Sequence, residues 1–235
     1  MTDTPDVWED IETALRHTPR LLLWGPPSTG KTFAAINYAT DDRDVIEWTA
    51  TEGDTKETFF GGLKMEAGDS MFADGIGTHA WKNGSRLVLN EFDKLTYAPE
   101  MGAEGSLYAL ADDPENARTR LDNYAHELIA PAAGFQLVAT MNANPRILPE
   151  AIRSRFPVTI EVDQVNPAAL NCLPEQVRTL AASTILAPEE QRIYLRQWIE
   201  LFRLRDKERI PLETAARLTL GPIRARDLSD ALELA

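Results

Sequence analysis

One short segment of the chain has the residue types and the spacing of a phosphate-binding loop. Gly25, Gly30, Lys31 and Thr32 follow the pattern G-x-x-x-x-G-K-[ST], between an apolar strand pattern and a helix-forming run. In such a loop the backbone N–H groups surround phosphate oxygens, the lysine reaches the outer phosphates and the threonine hydroxyl binds Mg²⁺. We therefore expect a site for ATP and Mg²⁺. The loop residues expected to contact this cofactor are Gly25, Pro26, Pro27, Ser28, Thr29, Gly30, Lys31 and Thr32.

A second segment, RLVLNEFDKL, has the pattern of a buried strand that ends in polar chemistry. Residues 87–89 are an apolar run typical of a central parallel strand. Glu91 follows that strand and is expected near the γ-phosphate, where it would orient and deprotonate the attacking water. Asn90 precedes it, and its amide oxygen, together with Thr32, is expected to serve Mg²⁺ without a full negative charge. Replacing Asn90 with aspartate is therefore expected to tighten Mg²⁺ binding and to raise the hydrolysis rate.

The alternation of apolar and turn residues predicts the elements that position these groups. Strands that alternate with helices imply a parallel sheet covered on both faces. The fold class expected is α/β: the parallel sheet of a P-loop NTPase, sandwiched by helices over residues 1–165, followed by a small α-helical lid domain over 166–235. Helices are predicted over residues 5–18, 31–40, 98–111 and 149–155, and strands over 20–24, 44–49, 86–90, 135–141 and 157–162.

The distribution of charge argues against nucleic acid as a partner. The chain of 235 residues carries a formal net charge of −13, and residues 171–235 hold ten acidic and ten basic side chains, so the whole excess lies in residues 1–170. A duplex-binding surface needs clustered Lys and Arg.

The apolar stretches are too short to span a membrane, the N-terminus lacks a secretory core, and Cys172 is the only cysteine. Cytoplasm is the expected compartment.

From residue 86 onward, the order of motifs resembles that of AAA+ ATPases, and the details resemble the MoxR family. The similar segments are DGIGTHAWKNGSRLVLNEFDKL, GFQLVATMNANP, ILPEAIRSRFPVTIEV and GPIRARDL. With the loop, the resemblance covers roughly residues 8 to 232 and implies an AAA+ core. In that family the position of Asn90 is usually aspartate. Residues 61–84 correspond to an insert that projects from the body, and residues 117–134 correspond to a hairpin.

The resemblance also implies further residues at the nucleotide site. Asn142 ends the apolar strand FQLVAT, where its amide would hold the attacking water. Asn144 is the nearby candidate for the same role. For both asparagines, the structural alternative is a role in the turn before Pro145.

Two arginines complete the expected site. Arg155 corresponds to the arginine finger that reaches the γ-phosphate of a neighbouring subunit, with Arg153 as the alternative. Arg224 corresponds to the sensor 2 arginine of the helical domain, with Arg226 as the alternative.

The expected function is that of an ATP-driven remodelling protein. The resemblance implies a homo-oligomeric ring, expected to be hexameric, that hydrolyses ATP, slowly with Asn90 in place, to remodel or activate a protein client such as a von Willebrand factor A domain protein. A nucleic-acid motor or loader of the same superfamily is the first alternative, and the acidic body argues against it. A P-loop kinase is the second, and the motifs downstream of the loop argue against it.

Overall fold

Short strands alternate with helices along the chain, as the sequence pattern predicts. The computed structural model describes residues 6–66, 68–96, 103–120 and 127–233. The strands are β1 (Arg20–Trp24), β2 (Val45–Thr49), β3 (Gly62–Glu66), β4 (Asp69–Ala73), β5 (Arg86–Asn90), β6 (Thr119–Arg120), β7 (Leu128–Ile129), β8 (Gln136–Met141) and β9 (Val158–Glu161). The helices are α1 (Val7–His17), α2 (Lys31–Asn37), α3 (Lys56–Phe60), α4 (Ile76–Asn83), α5 (Ala103–Ala111), α6 (Glu150–Arg153), α7 (Pro167–Leu170), α8 (Glu175–Leu186), α9 (Leu195–Asp206), α10 (Leu212–Leu220) and α11 (Pro222–Glu233).

Five of these strands form a parallel sheet in the order β2-β5-β8-β1-β9. Every residue of β5 and β8 is buried, which explains their apolar runs, because a strand covered on both faces has no solvent side. The predicted α/β fold is thereby confirmed. Predicted element ends differ from the observed ends by up to three residues, as at α2, and residues 98–102 of one predicted helix lie outside the described chain.

Within the described residues, two antiparallel strand pairs interrupt the alternation. β3 pairs with β4 inside the segment that the resemblance marks as an insert. β6 pairs with β7 inside the segment that it marks as a hairpin, whose residues 121–126 lie outside the described chain. On β3 and β4 the side chains of Leu63, Met65 and Met71 are exposed.

A buried arginine fixes the end of α2 that is remote from the phosphate-binding loop. Arg86, at the start of β5, is 0% exposed and donates to the carbonyls of Ala35, Tyr38 and Ala39 at 2.7–2.9 Å. Its Nε donates to Oε1 of Gln136 at 2.6 Å. A cation at a helix C-terminus is favourable because the carbonyl groups there carry partial negative charge. Burial lowers the pKa of Arg86 to about 10, so the guanidinium stays protonated at neutral pH.

The described residues form two compact units. The first comprises residues 6–25 and 31–161, and the second comprises residues 26–30 and 162–233. The core of the first unit lies around the sheet, where Trp81 meets Phe60 and Phe135 edge to face. In the second unit Trp198 is fully buried and stacks on Phe202 with ring centroids 6.2 Å apart. Among the residues described, no helix has the length and apolar character needed to cross a membrane.

Candidate nucleotide site

The predicted phosphate-binding loop joins β1 to α2. Its backbone enters the left-handed region at Ser28 and at Gly30, with φ values of 66° and 106°. A Cβ atom on Gly30 would lie 2.6 Å from Cβ of Asn166, which no real contact allows, so both the conformation and the space require glycine there. The backbone N–H of Asn166 donates to the carbonyl of Thr29 at 2.8 Å. Pro26 and Pro27 are half-buried, and the hydroxyl of the buried Thr29 donates to the carbonyl of Pro26 at 3.1 Å.

Lys31 begins α2 and is buried, with only 6% of its surface exposed. Its Nζ donates to the carbonyl of Gly25 at 2.8 Å, so the ammonium group is held over the start of the loop. A buried ammonium is costly without anionic or carbonyl partners. This placement fits the predicted role of Lys31 toward phosphate.

Asn90, at the end of β5, meets Thr32 of α2 through a direct hydrogen bond. The Thr32 hydroxyl donates to Oδ1 of Asn90 at 2.8 Å, and the Thr140 hydroxyl of β8 donates to the same oxygen at 2.9 Å. The Asn90 amide nitrogen donates to Oε1 of Glu47 of β2 at 2.7 Å. Side chains from α2 and from three neighbouring strands therefore meet in one cluster around Asn90, which is 6% exposed.

This cluster contains the ligand type that Mg²⁺ requires. The Thr32 hydroxyl and the Asn90 amide are neutral oxygen donors, and a carboxylate stands one hydrogen bond away on Glu47. Mg²⁺ binds oxygen, keeps several of its waters and uses few protein charges. The residues present therefore fit the cation, with Thr32 and Asn90 as the side chains that would hold it.

Glu91 follows Asn90 at the point where β5 ends. Its backbone adopts φ 53°, a left-handed conformation that is uncommon for a residue with a side chain. Its carboxylate forms an ion pair with Nζ of Lys94, in the 3₁₀ turn formed by residues 92–96. Glu91 is therefore adjacent in sequence to Asn90, which contacts Thr32. In this conformation the Glu91 side chain is bound to Lys94.

The structure separates the two asparagines that follow β8. Asn144 caps a 3₁₀ turn, because its side-chain oxygen accepts from the backbone N–H of Arg146 at 3.0 Å. Asn142 is exposed and comes directly after the last residue of β8. The turn thus uses the side chain of Asn144, which supports Asn142 as the candidate for the water-binding role.

The two candidate finger arginines lie at the end of α6. The guanidinium of Arg155 donates to the carbonyl of Ala151 at 2.6 Å and lies 5.0 Å from the ring centroid of Tyr108. Its Nε is buried and, within the described part of the chain, has no hydrogen-bond partner. Arg153 is half-buried within α6. In this conformation Arg155 is held against its own subunit.

The two candidate sensor arginines lie on α11. Arg224 donates to the carbonyls of Glu190 and Arg192 at 2.7 and 3.2 Å, so its guanidinium is bound within the helical unit. Arg226 is exposed. The sensor role of either arginine stays a prediction.

Sequence reasoning missed two residues of the cluster, Glu47 and Thr140. Both belong to strands. Glu47 lies in no recognisable motif, and Thr140 lies inside the segment GFQLVATMNANP, where the family resemblance gave it no role. The sequence contains no distinct signal for Glu47, because an acidic side chain is ordinary at an exposed position of an edge strand such as β2. For Thr140 the signal was a hydroxyl at the penultimate position of a buried strand.

The fold and this site define a P-loop NTPase, and comparison with family models gives the family. The model described as AAA domain (dynein-related subfamily) matches residues 20–156. The chain belongs to this family, and is thus an AAA+ P-loop NTPase domain.

Solved structures of AAA+ proteins resemble the fold at low sequence identity. NtrX from Brucella abortus, crystallised with ADP, is 12% identical with a TM-score of 0.55, covering 96% of this chain and 64% of that one. A mutant of RuvB from Thermotoga maritima is 17% identical with a TM-score of 0.48, covering 90% of this chain and 65% of that one. The chain therefore spans less than two thirds of either structure. No curated protein matches the sequence.

Proposed function

We propose that this chain is a MoxR-like ATPase that binds ATP with Mg²⁺, hydrolyses it in a homo-oligomeric ring and thereby remodels or activates a protein partner. The observation that carries the ATPase role is the hydrogen bond of 2.8 Å between the Thr32 hydroxyl and the Asn90 amide oxygen. It joins the loop helix to the end of β5, which is the junction where a Mg²⁺–ATP complex is held in P-loop enzymes.

Each residue of the site has a defined task in the proposed reaction. Water attacks the γ-phosphorus, the bond to the bridging oxygen breaks, and ADP and phosphate leave. Glu91 accepts the proton of that water and Asn142 orients it, while Lys31 stabilises the charge on the outer phosphates. Mg²⁺, when bound, neutralises phosphate charge. Because Asn90 supplies no charge, hydrolysis is slow.

A second group of residues supports work on a protein rather than on nucleic acid. In the hairpin of β3 and β4, Leu63 and Met65 are exposed by 57% and 71% on one face, and Met71 is exposed by 49% on the other. Exposed apolar side chains that lie together, as Leu63 and Met65 do, mark interaction sites. The net charge of −13 disfavours a phosphate backbone as the partner. The proposed partner is a protein, with a von Willebrand factor A domain protein as the candidate that the MoxR resemblance suggests.

The test combines hydrolysis with imaging. Phosphate release from ATP is measured for the wild type, for Lys31→Ala and for Glu91→Gln, and the wild type is imaged by electron microscopy with a slowly hydrolysed ATP analogue. Mg²⁺-dependent hydrolysis that both variants lose, together with hexameric rings, is the expected result. Hydrolysis that survives in Lys31→Ala, or a protein that stays monomeric with the analogue, would contradict the proposal.

A further inference from the structure

The amide of Asn90 is satisfied on both of its polar atoms. Its oxygen accepts from Thr32 and Thr140 at 2.8 and 2.9 Å, and its nitrogen donates to Glu47 at 2.7 Å. The Asn90 side chain is 6% exposed, whereas Glu47 is exposed on the edge strand β2, so water competes for the bond to Glu47 more than for the two bonds to the hydroxyl groups. Buried polar groups that are satisfied in this way have a fixed orientation.

Glu47 is the partner that decides this orientation. A hydroxyl such as that of Thr32 can donate or accept, so it would tolerate either end of the amide. A carboxylate only accepts, so the end of the amide that faces Glu47 must be the NH₂ group. Turned by half a rotation, Asn90 would place its oxygen against the carboxylate and direct its nitrogen at Thr32.

The distance that the side chain at position 47 must span to reach Asn90 explains why β2 carries glutamate there. In the register of the sheet, Glu47 lies opposite Val88, and Asn90 lies opposite Thr49. The carboxylate must therefore span a diagonal of two residues to meet the amide. A glutamate has this reach, whereas an aspartate is shorter by one methylene group.

We infer that Glu47 is a positioning residue of the nucleotide site, which turns the amide oxygen of Asn90 toward Thr32 so that this oxygen can serve Mg²⁺. The inference rests on the proposed function for the role of that oxygen. It identifies a contribution from β2 that no motif in the chain carries. Groups that orient a metal-binding side chain typically change metal affinity by about 10- to 100-fold when they are removed.

The contact between Glu47 and Asn90 also changes what we expect of Asn90→Asp, the substitution for which the sequence alone predicts tighter Mg²⁺ binding. An aspartate at position 90 would bring two carboxylates to hydrogen-bond distance with no donor between them. The double variant Glu47→Gln with Asn90→Asp restores the bond, because the glutamine NH₂ group can donate to the new carboxylate. We therefore expect the tighter Mg²⁺ binding only in the double variant.

The test measures the Mg²⁺ midpoint for binding of a fluorescent ATP analogue. Glu47→Ala is expected to raise this midpoint by about tenfold, and Glu47→Asp to behave similarly. Glu47→Gln is expected to stay within about threefold of the wild type, because its amide oxygen still accepts from Asn90. The double variant is expected to have a midpoint below that of the wild type. Glu9→Ala, an exposed carboxylate of α1, serves as the control.

A second readout needs no nucleotide. The side-chain NH₂ resonances of Asn90, observed by NMR in the nucleotide-free protein, should be protected from exchange with solvent in the wild type and in Glu47→Gln, and should exchange rapidly in Glu47→Ala. Protected resonances in Glu47→Ala would overturn the inference. An unchanged Mg²⁺ midpoint in Glu47→Ala, or equal losses in Glu47→Ala and Glu47→Gln, would also overturn it. A wild type that binds no nucleotide would refute the proposed function, while the NMR readout would still decide whether Glu47 orients the amide.

Discussion

Glu91 and Lys94 form an ion pair in which the carboxylate proposed to accept a proton from water is bound to a lysine three residues further along the chain. Both side chains are partly exposed, at 41% and 45%. The pair occupies one oxygen of the carboxylate, and the carboxylate in turn raises the pKa of Lys94. For Glu91 to act on water, this contact must open.

The first prediction concerns this ion pair. Lys94→Met removes the competing partner of Glu91 and is expected to raise the ATP hydrolysis rate by about two- to fivefold, the range that corresponds to a solvent-exposed ion pair. The measurement is the steady-state rate at saturating ATP, with Lys82→Met as the control for loss of an exposed lysine. A rate that falls in Lys94→Met would mean that the lysine assists the reaction.

The second prediction concerns Lys31. Lys31→Ala removes the buried ammonium beside the Gly25 carbonyl and is expected to abolish tight ATP binding, because the loop loses its contact to the outer phosphates. Direct titration with ATP provides the measurement. An affinity equal to that of the wild type would show that the segment is a glycine turn that happens to contain a lysine.

The third prediction concerns Arg155. Arg155→Ala is expected to retain ATP binding while hydrolysis falls by a factor on the order of 10³, because an arginine finger acts on the charge that develops during transfer. Mixing this variant with Lys31→Ala should restore part of the turnover, since one interface in a mixed ring keeps both groups. Confirmed mixed rings without rescue would exclude the role in a neighbouring subunit. Arg153→Ala, measured in the same way, tests the alternative finger residue.

To act as an arginine finger, Arg155 would have to break the contacts that it makes in this conformation. In this conformation it lies over Tyr108 and donates to Ala151. Both residues are half-buried, so leaving this cation–π contact costs about 0.5–2 kcal/mol, which a charge-assisted contact to phosphate is expected to offset. We therefore expect Tyr108→Leu to preserve hydrolysis, within a small factor, in the same assay.

The fourth prediction concerns stability. Arg86→Met leaves the carbonyls of Ala35, Tyr38 and Ala39 without their donor and is expected to lower the free energy of unfolding by about 3 kcal/mol or more. Urea unfolding followed by circular dichroism measures this change, with the exposed Arg203→Met as the control. Equal unfolding midpoints for Arg86→Met and the wild type would refute the anchoring role.

Arg86 also predicts how stability responds to pH. Its pKa is lowered to about 10 by burial, whereas the unfolded side chain keeps its higher ordinary value. Below about pH 10 the Arg86 side chain is protonated in both the folded and the unfolded state, so it adds no pH dependence to stability there. Above about pH 10 the folded state binds fewer protons than the unfolded state, so the contribution of Arg86 to stability rises with pH. The difference between wild type and Arg86→Met should therefore stay constant from about pH 6 to 9.

Much of the fold followed from the sequence because its signals are local. The loop at residues 25–32 is a contiguous motif, and the runs at β5 and β8 identify strands that are covered on both faces. The end of α2 at Asn37 was placed three residues too late, because the chain turns into left-handed conformations at Ala39, Asp41 and Asp42, which leave no distinct pattern in the sequence.

The contacts of the site were harder to predict because they depend on register. Glu47 and Asn90 are 43 residues apart in the chain and meet because β2 pairs with β5 in one particular alignment. No periodicity in either strand specifies that alignment. Which of Asn142 and Asn144 serves the turn before Pro145 depends on local backbone geometry. The binding of Arg224 to carbonyl groups 32 and 34 residues away depends on the packing of the helical unit.

The hairpin of β3 and β4 has a consequence for the chemical durability of the protein. Two of its exposed apolar side chains are methionines, and the Ser70 hydroxyl donates to the sulfur of Met65 at 3.1 Å. Oxidation to the sulfoxide converts a flexible apolar side chain into a polar one. Peroxide would thus reach Met65 and Met71 while leaving the buried Met141 intact. Met65 shares its face of the hairpin with Leu63. A partner bound to that face would bind less tightly once Met65 is oxidised, and reduction of the sulfoxide would restore the binding.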